Sequence, residues 1–114
     1  MTRRRLALGA HGETLAAEWY AAHGYEVLDR NWRCREGELD LVVRQGRTIV
    51  FCEVKTRSSD AFGAPAEAVT HTKRQRIRRL AARWLEDAPV RPIRIRFDVA
   101  AVLDGRLEVI EGAF

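Results

Sequence analysis

Lysine is nearly missing from this chain. Of its 20 basic residues only Lys55 and Lys73 are lysines, and all the others are arginines. If two lysines fell at random among those positions, Lys55 would be one of them about one time in ten. The guanidinium is a planar fork that stays protonated, whereas the ammonium is a compact point charge whose pKa responds to its surroundings. Chemistry discriminates between them; a solvated surface does not. Cysteine is equally scarce. Cys34 and Cys52 have neither zinc-like spacing nor partner histidines nearby, and His11, His23 and His71 are scattered. This excludes a disulfide framework and a structural zinc site, and leaves two reduced thiols, with Cys52 on the inner face of its strand. No apolar run approaches the roughly 20 residues needed to cross a bilayer. The start, Met1-Thr2-Arg3-Arg4-Arg5-Leu6, has no long apolar segment after its basic flank, so no signal peptide is expected and the cytoplasm is the expected location. Repeats and low-complexity linkers are also lacking, so 114 residues make one domain over 9–114, preceded by a flexible basic arm over 1–8.

What is present is a foldable, basic sequence. Hydrophobic residues make up 46%, and the net charge of +4 with a pI near 9.7 favours an acidic partner. Nucleic acid comes first, DNA before RNA, with an anionic membrane second, and no membrane partner is expected.

The stretch Glu38 to Arg57 carries the chemistry. It predicts two strands joined near Gln45-Gly46, with Asp40 on the first and Glu53 and Lys55 on the second. Strand side chains alternate faces, so Glu53 and Lys55 project together, with Val54 opposite, and Glu38 shares a face with Asp40. Antiparallel neighbours lie about 5 Å apart, which brings two or three carboxylates and one ammonium to a single patch. Carboxylate oxygens are the hard ligands that magnesium or manganese prefers, and an adjacent lysine supplies positive charge where a phosphoryl transition state accumulates negative charge. An ordinary Glu-x-Lys pair on a solvated strand is worth under about 1 kcal/mol. Here it interrupts the apolar run Thr48 to Val54, where a carboxylate is out of place.

Around this hairpin the pattern predicts a helix over about 9–23, with Leu15, Ala16, Trp19 and Ala22 on one face and Gly24 as its C-cap. Glu13 falls in its first turns, where it either favours the helix dipole or delivers an acid from outside the sheet. A first strand spans 25–32. Thr56 to Ala64 reads as a mobile connection beside the site, and Pro65 as the start of a helical region. A longer helix over 72–86 places Ile77, Leu80, Ala81, Trp84 and Leu85 inward. Outward it carries Lys73, Arg74, Arg76, Arg78, Arg79 and Arg83, with no acid until Glu86, a one-signed surface suited to phosphate. Lys73 and Gln75 are placed to reach back towards the acidic patch. The segment 93–103 alternates Ile93, Ile95, Phe97, Val99, Ala101 and Leu103 against Arg94, Arg96 and Asp98, which predicts a strand buried on one side. Asp98 on its polar face pairs with Arg94 or Arg96 as a structural contact. Asp104-Gly105 turns into a short edge strand over 107–110. The order gives an α/β fold with a mixed sheet: an antiparallel meander of three strands, a helical crossover, and a parallel fourth strand.

These residues in this order resemble the PD-(D/E)xK nuclease superfamily, the restriction-endonuclease-like fold with an α-β-β-β-α-β core that includes archaeal Holliday junction resolvases. More closely, Gly12-Glu13, Gly24-Tyr25, Arg30-Asn31, Gly37-Glu38-Leu39-Asp40, Phe51-Cys52-Glu53-Val54-Lys55-Thr56-Arg57, Gly63, Lys73 and Arg96-Phe97-Asp98-Val99 are similar to the YraN family of small bacterial proteins, over about residues 9–102. The one departure is Leu39, where the superfamily's nominal proline precedes the aspartate. The resemblance implies a magnesium- or manganese-dependent endonuclease acting on DNA, branched or damaged DNA in particular. Asp40 and Glu53 would be metal ligands with the Val54 carbonyl, Lys55 the catalytic lysine and Glu13 the helical acid. Arg57, Lys73, Arg74, Gln75, Arg76, Arg78 and Arg79 are expected to face the nucleic acid. Cutting both strands of a junction from one small domain implies a homodimer. The alternative is a nucleic-acid-binding module on the same fold that performs no catalysis; a scaffold whose acidic patch recruits a basic protein comes third.

Overall fold

The computed structural model describes residues 3–57 and 69–114, with the backbone alone for 3–10. Helix α1 (Arg3–Ala22) is followed by strands β1 (Glu26–Cys34), β2 (Gly37–Gln45) and β3 (Thr48–Arg57), helix α2 (His71–Leu85), and strands β4 (Arg94–Leu103) and β5 (Arg106–Ile110). The strands form one sheet in the order β1-β2-β3-β4-β5. All neighbours are antiparallel except β3 and β4, which run parallel. This is the expected α/β mixed sheet with its α-β-β-β-α-β core. Of the expected mobile connection Thr56 to Ala64, Thr56 and Arg57 extend β3 instead; the rest of it, and the helical start at Pro65, lie outside the described residues.

Among the described residues, each face of the sheet is covered by one helix. Ile77, Leu80, Ala81 and Trp84 of α2 pack on Leu39, Val42, Ile49, Phe51 and Val99. On the other face Ala16, Ala17 and Tyr20 of α1 meet Leu41, Val43, Val50, Cys52 and Ala100. Burying a large side chain such as Phe51 or Leu80 contributes about 1.5–3 kcal/mol, so these two layers hold the domain. The N-cap Thr70 accepts a hydrogen bond from the Lys73 amide at 3.3 Å, which fixes the first turn of α2 and with it Lys73.

Three differences from the sequence expectation have physical causes. First, α1 starts at Arg3 rather than near residue 9, because Arg-Arg-Arg-Leu-Ala-Leu is a run of good helix formers; residues 3–8 are helical where a loose arm was expected. Second, α1 presents a different face. Gly12, Ala16 and Tyr20 are buried, while Ala22 is exposed, because small residues at i and i+4 let the helix lie directly on β3. A Cβ built at Gly12 would collide with Thr56 Oγ1 and stand 3.4 Å from Val54 Cγ1. Third, Ile93 and Ile95 are 75% and 42% exposed, whereas 98–102 are all buried. The second half of β4 is covered by a strand on each side and packing on both faces, so its one-sided alternation fails there.

The contact at Gly12 makes a prediction. Gly12→Ala should destabilise the fold by about 1–3 kcal/mol, the usual cost of overpacking, despite alanine's better helix propensity. Urea unfolding measures this; a stabilised variant would contradict the close approach.

Candidate active site

Strands β2 and β3 do not stay paired along their whole length. Their register runs from Gln45↔Thr48 to Leu41↔Cys52 and stops. Beyond that point β2 remains paired with β1 as far as Gly37, while β3 remains paired with β4 as far as Arg57. The sheet therefore forks immediately after Leu41 and Cys52, and the next residue on each prong is an acid, Asp40 and Glu53. Opposite Asp40, β1 carries Asn31 with φ of 51°, and the pairing skips this position between Arg30↔Leu41 and Trp32↔Leu39. The irregularity frees Asp40 from the ladder. Its Oδ2 instead accepts a hydrogen bond from the Val54 amide at 2.8 Å, so the carboxylate itself bridges the fork.

Glu53 and Lys55 continue the row of Ile49 and Phe51 on the α2 side, and Lys55 Nζ stands 3.5 Å from Glu53 Oε1. Lys73, at the start of α2, reaches the same oxygen at 3.6 Å. Both lysines of the chain thus meet on one carboxylate. From the opposite side Glu13 of α1 approaches, and ligand atoms of Glu13, Glu38 and Asp40 all lie within 4.8 Å of one another. Glu13 is ten residues into α1, too far from the N-terminus to serve the helix dipole. Its placement follows from its neighbour Gly12, which seats the helix on Val54 and Thr56.

The electrostatics follow from this crowding. Burial pushes the Asp40 carboxyl up to about 7, the Glu53 charge adds to the rise, the Val54 amide opposes it, and Glu13 adds further. Lys55 is lowered, first by burial and then by the neighbouring Lys73 ammonium, against the pull of Glu53. Since the folded state holds a proton on Asp40 that the unfolded chain releases near 3.8, more protons are bound folded than unfolded between about 4 and 7. Stability without divalent cations should therefore fall as pH rises through that window. Asp40→Asn should flatten the fall and be the more stable protein at pH 8; thermal melts in a chelator across pH 4–8 check this, and an unchanged slope in the variant would contradict it.

Of the other residues expected to face nucleic acid, Arg76 and Arg79 stand exposed on α2. Arg78 is exposed as well and Arg74 half-buried; both guanidiniums lie about 5.5 Å from the Phe114 ring, Arg78 is also 5.7 Å from Phe97, and Arg74 Nε donates to the Val69 carbonyl. These contacts pack α2 on the C-terminal segment. Gln75 hydrogen bonds with His71 at 3.0 Å. Arg57 ends β3, its carbonyl accepting from Asp104 N.

Asp98, expected on a polar face, is fully buried. It accepts from Tyr20 Oη at 2.5 Å, from Arg96 Nε and Nη2 at 2.8 and 2.9 Å, and from Gly112 N at 2.9 Å. The pairing with Arg96 was expected; the partnership with Tyr20 was not, because nothing local in sequence links residues 78 apart. Burial and this contact hold the Tyr20 hydroxyl far above its ordinary range. Cys52, buried beside them, is likewise pushed up by burial, and it and Cys34 are both free thiols.

A mixed sheet forked between an aspartate and a Glu-x-Lys row, with a helical acid packed over the fork, is the arrangement of the PD-(D/E)xK-like superfamily. Residues 12–102 match the uncharacterised protein family UPF0102. The chain is 58% identical to a UPF0102 protein of Beutenbergia cavernae over 91% of this chain and 88% of the relative. It is 56% identical to one of Frankia alni over 98% of both, and 61% identical to one of Nocardia farcinica over 85% and 76%. The chain belongs to the UPF0102 (YraN) family.

Proposed function

We propose that the chain is a divalent-metal-dependent endonuclease that hydrolyses phosphodiesters in DNA. The observation that carries this reading is the convergence at the fork: Asp40 held by the Val54 amide, and Glu53 shared by the two lysines. The donor set fits a hard cation. Three or four carboxylates crowd around a position where Asp40 keeps its proton near neutrality, opposed by the ammonium groups of Lys55 and Lys73 on Glu53 and by Arg33 on Glu38. Asp40 and Glu53 would hold magnesium or manganese, with the Val54 carbonyl as the third donor and Glu13 supporting from α1. When bound, the ion would supply Lewis acidity and a water of lowered pKa.

The protein's own groups do the rest. The Val54 amide orients Asp40. Lys55, kept compact and partly desolvated, stabilises charge growing on the phosphoryl oxygens, and Glu53 positions Lys55. Lys73, anchored by the Thr70 cap, is the second cation available to the phosphate. The exposed Arg76 and Arg79 supply backbone contacts. Branched or damaged DNA is the proposed substrate class, and cutting two strands with one site per chain requires two copies.

Calorimetric titration of magnesium and manganese into the wild type and an Asp40→Asn, Glu53→Gln double variant tests the site. Heat only in the wild type is expected. Equal heat in both removes the carboxylates from metal binding and leaves a non-catalytic nucleic-acid-binding module as the better reading.

A further inference from the structure

A second feature lies at the other end of α2. A cavity of about 390 Å3, lined among others by Asp29, Trp32, Arg33, Arg83, Trp84 and Asp87, opens between β1 and the end of the helix. That volume is in the range of pockets that hold small organic groups. Two of the chain's three tryptophans line it. Trp84 is nearly buried and held by its indole N–H on Asp29 Oδ2 at 3.1 Å, while Trp32 is half-buried.

The cavity is connected to the forked site in two ways. Arg33 at its rim binds Glu38 at 3.0 Å, and Glu38 is one of the acids grouped with Asp40. Along α2, Lys73 at the site and Arg83 at the cavity are ten residues apart, roughly 15 Å of helix. Between them stand Arg76 and Arg79, three residues apart and both exposed. A phosphate backbone leaving the site would run along this arginine track and arrive at an aromatic pocket.

We infer that this cavity is a nucleobase subsite: it takes an unpaired base of a strand whose phosphates lie along Arg76, Arg79 and Arg83, so the preferred substrate carries single-stranded nucleotides next to the cleaved bond. The inference rests on the nucleic-acid reading above and names its substrate more narrowly. Aromatic faces combined with a basic track are what single-strand binding requires, because every base offers a π-face. A basic peptide is disfavoured. Arg33 and Arg83 stand at the mouth, in exposed ion pairs with Glu38 and Glu86 that phosphate can compete for, and Asp29 already accepts from Trp84 Nε1 and from the Arg30 amide.

The test is fluorescence anisotropy of labelled duplexes with a short single-stranded tail, in a chelator so that no cutting occurs. Base-bearing tails, DNA or RNA, are compared with abasic tails of the same length and charge. The wild type should bind the base-bearing tail about tenfold more tightly, the size of one stacked base. Trp32→Ala should erase that difference without weakening abasic binding, and Trp32→Phe, which keeps a ring, should retain most of it. Equal affinity for the two tails overturns the inference, as does a preference that survives Trp32→Ala. So does quenching of tryptophan fluorescence by a short arginine peptide but not by the oligonucleotide, which would assign the pocket to a basic protein partner. The two readings separate cleanly. Magnesium-dependent cutting without base preference removes the subsite alone; base preference in a protein that never cuts removes the catalysis alone.

Discussion

On the proposed chemistry, Glu53→Gln lowers metal-dependent strand cleavage by a hundredfold to a thousandfold or more, the range seen when a preorganised charged group is removed from a reacting centre, and leaves the fold intact. Glu53 is the residue through which the site is assembled. Its Oε1 meets Lys55 at 3.5 Å and Lys73 at 3.6 Å, and its charge is a principal cause of the raised Asp40 pKa. The amide of glutamine matches it in shape and keeps one acceptor oxygen but carries no charge, so both ammonium groups lose their shared counter-charge and a cation loses an anionic ligand. Lys55→Arg should be nearly as damaging. The pocket is built for a compact charge in contact with Glu53, and a planar fork of greater reach neither fits the partly buried position nor deprotonates. Cleavage of a branched duplex by each purified variant, alongside its thermal melt, measures both effects. Folded Glu53→Gln with near wild-type rates would end the assignment; an unfolded variant would be replaced by Asp40→Asn, for which the raised pKa predicts increased stability at pH 8.

The elements that could be read from the sequence are those whose causes are local. The hairpin at Gln45-Gly46 follows from alternation and a turn glycine, and α2 from the spacing of Ile77, Leu80, Ala81 and Trp84. The pairing of Glu53 with Lys55 needed only the period of two, and the scarcity of lysine singled out Lys55. The same scarcity could have shown that Lys73 belongs with it, since both lysines meet on Glu53. What could not be read depends on contacts between distant segments. The fork exists because β3 stays with β4 while β2 stays with β1, a choice no single strand encodes. The contacts of Arg74 and Arg78 with Phe114 were not legible, because the sequence does not reveal that Phe114 returns beneath them. For Glu13 a helix-dipole role stood beside that of an acid delivered from outside the sheet because the start of α1 was placed too late, and Asp98 was placed on a polar face because its coverage by Tyr20 and Gly112 comes from opposite ends of the chain.

That last residue carries the largest expected effect on stability. Asp98→Ala should cost about 3–5 kcal/mol, as breaking a buried charge pair does, and lower the melting temperature by roughly 15 °C or more in a domain of this size. The carboxylate lost has four donors aimed at it, from Tyr20, twice from Arg96, and from Gly112, and it is itself fully buried. Its removal strands a guanidinium only 14% exposed and a tyrosine hydroxyl in the core. Arg96 keeps Tyr25 Oη at 3.1 Å and Glu111 at 3.4 Å, which offsets part of the cost. Asp98→Asn, which retains an acceptor and the shape but not the charge, should cost about half as much. A triple variant, Tyr20→Phe, Arg96→Met, Asp98→Leu, removes donors and acceptor together and should recover most of the loss, because an ion pair that is absent leaves nothing unpaired. The same network holds α1 on the sheet through Tyr20, two turns along from Gly12 and Glu13. Asp98→Ala protein that remains folded should therefore also lose the part of metal affinity that Glu13 contributes. Urea unfolding of the three variants decides the matter: a loss below about 1 kcal/mol for Asp98→Ala would mean that water reaches the site and the network is not the clamp its geometry describes.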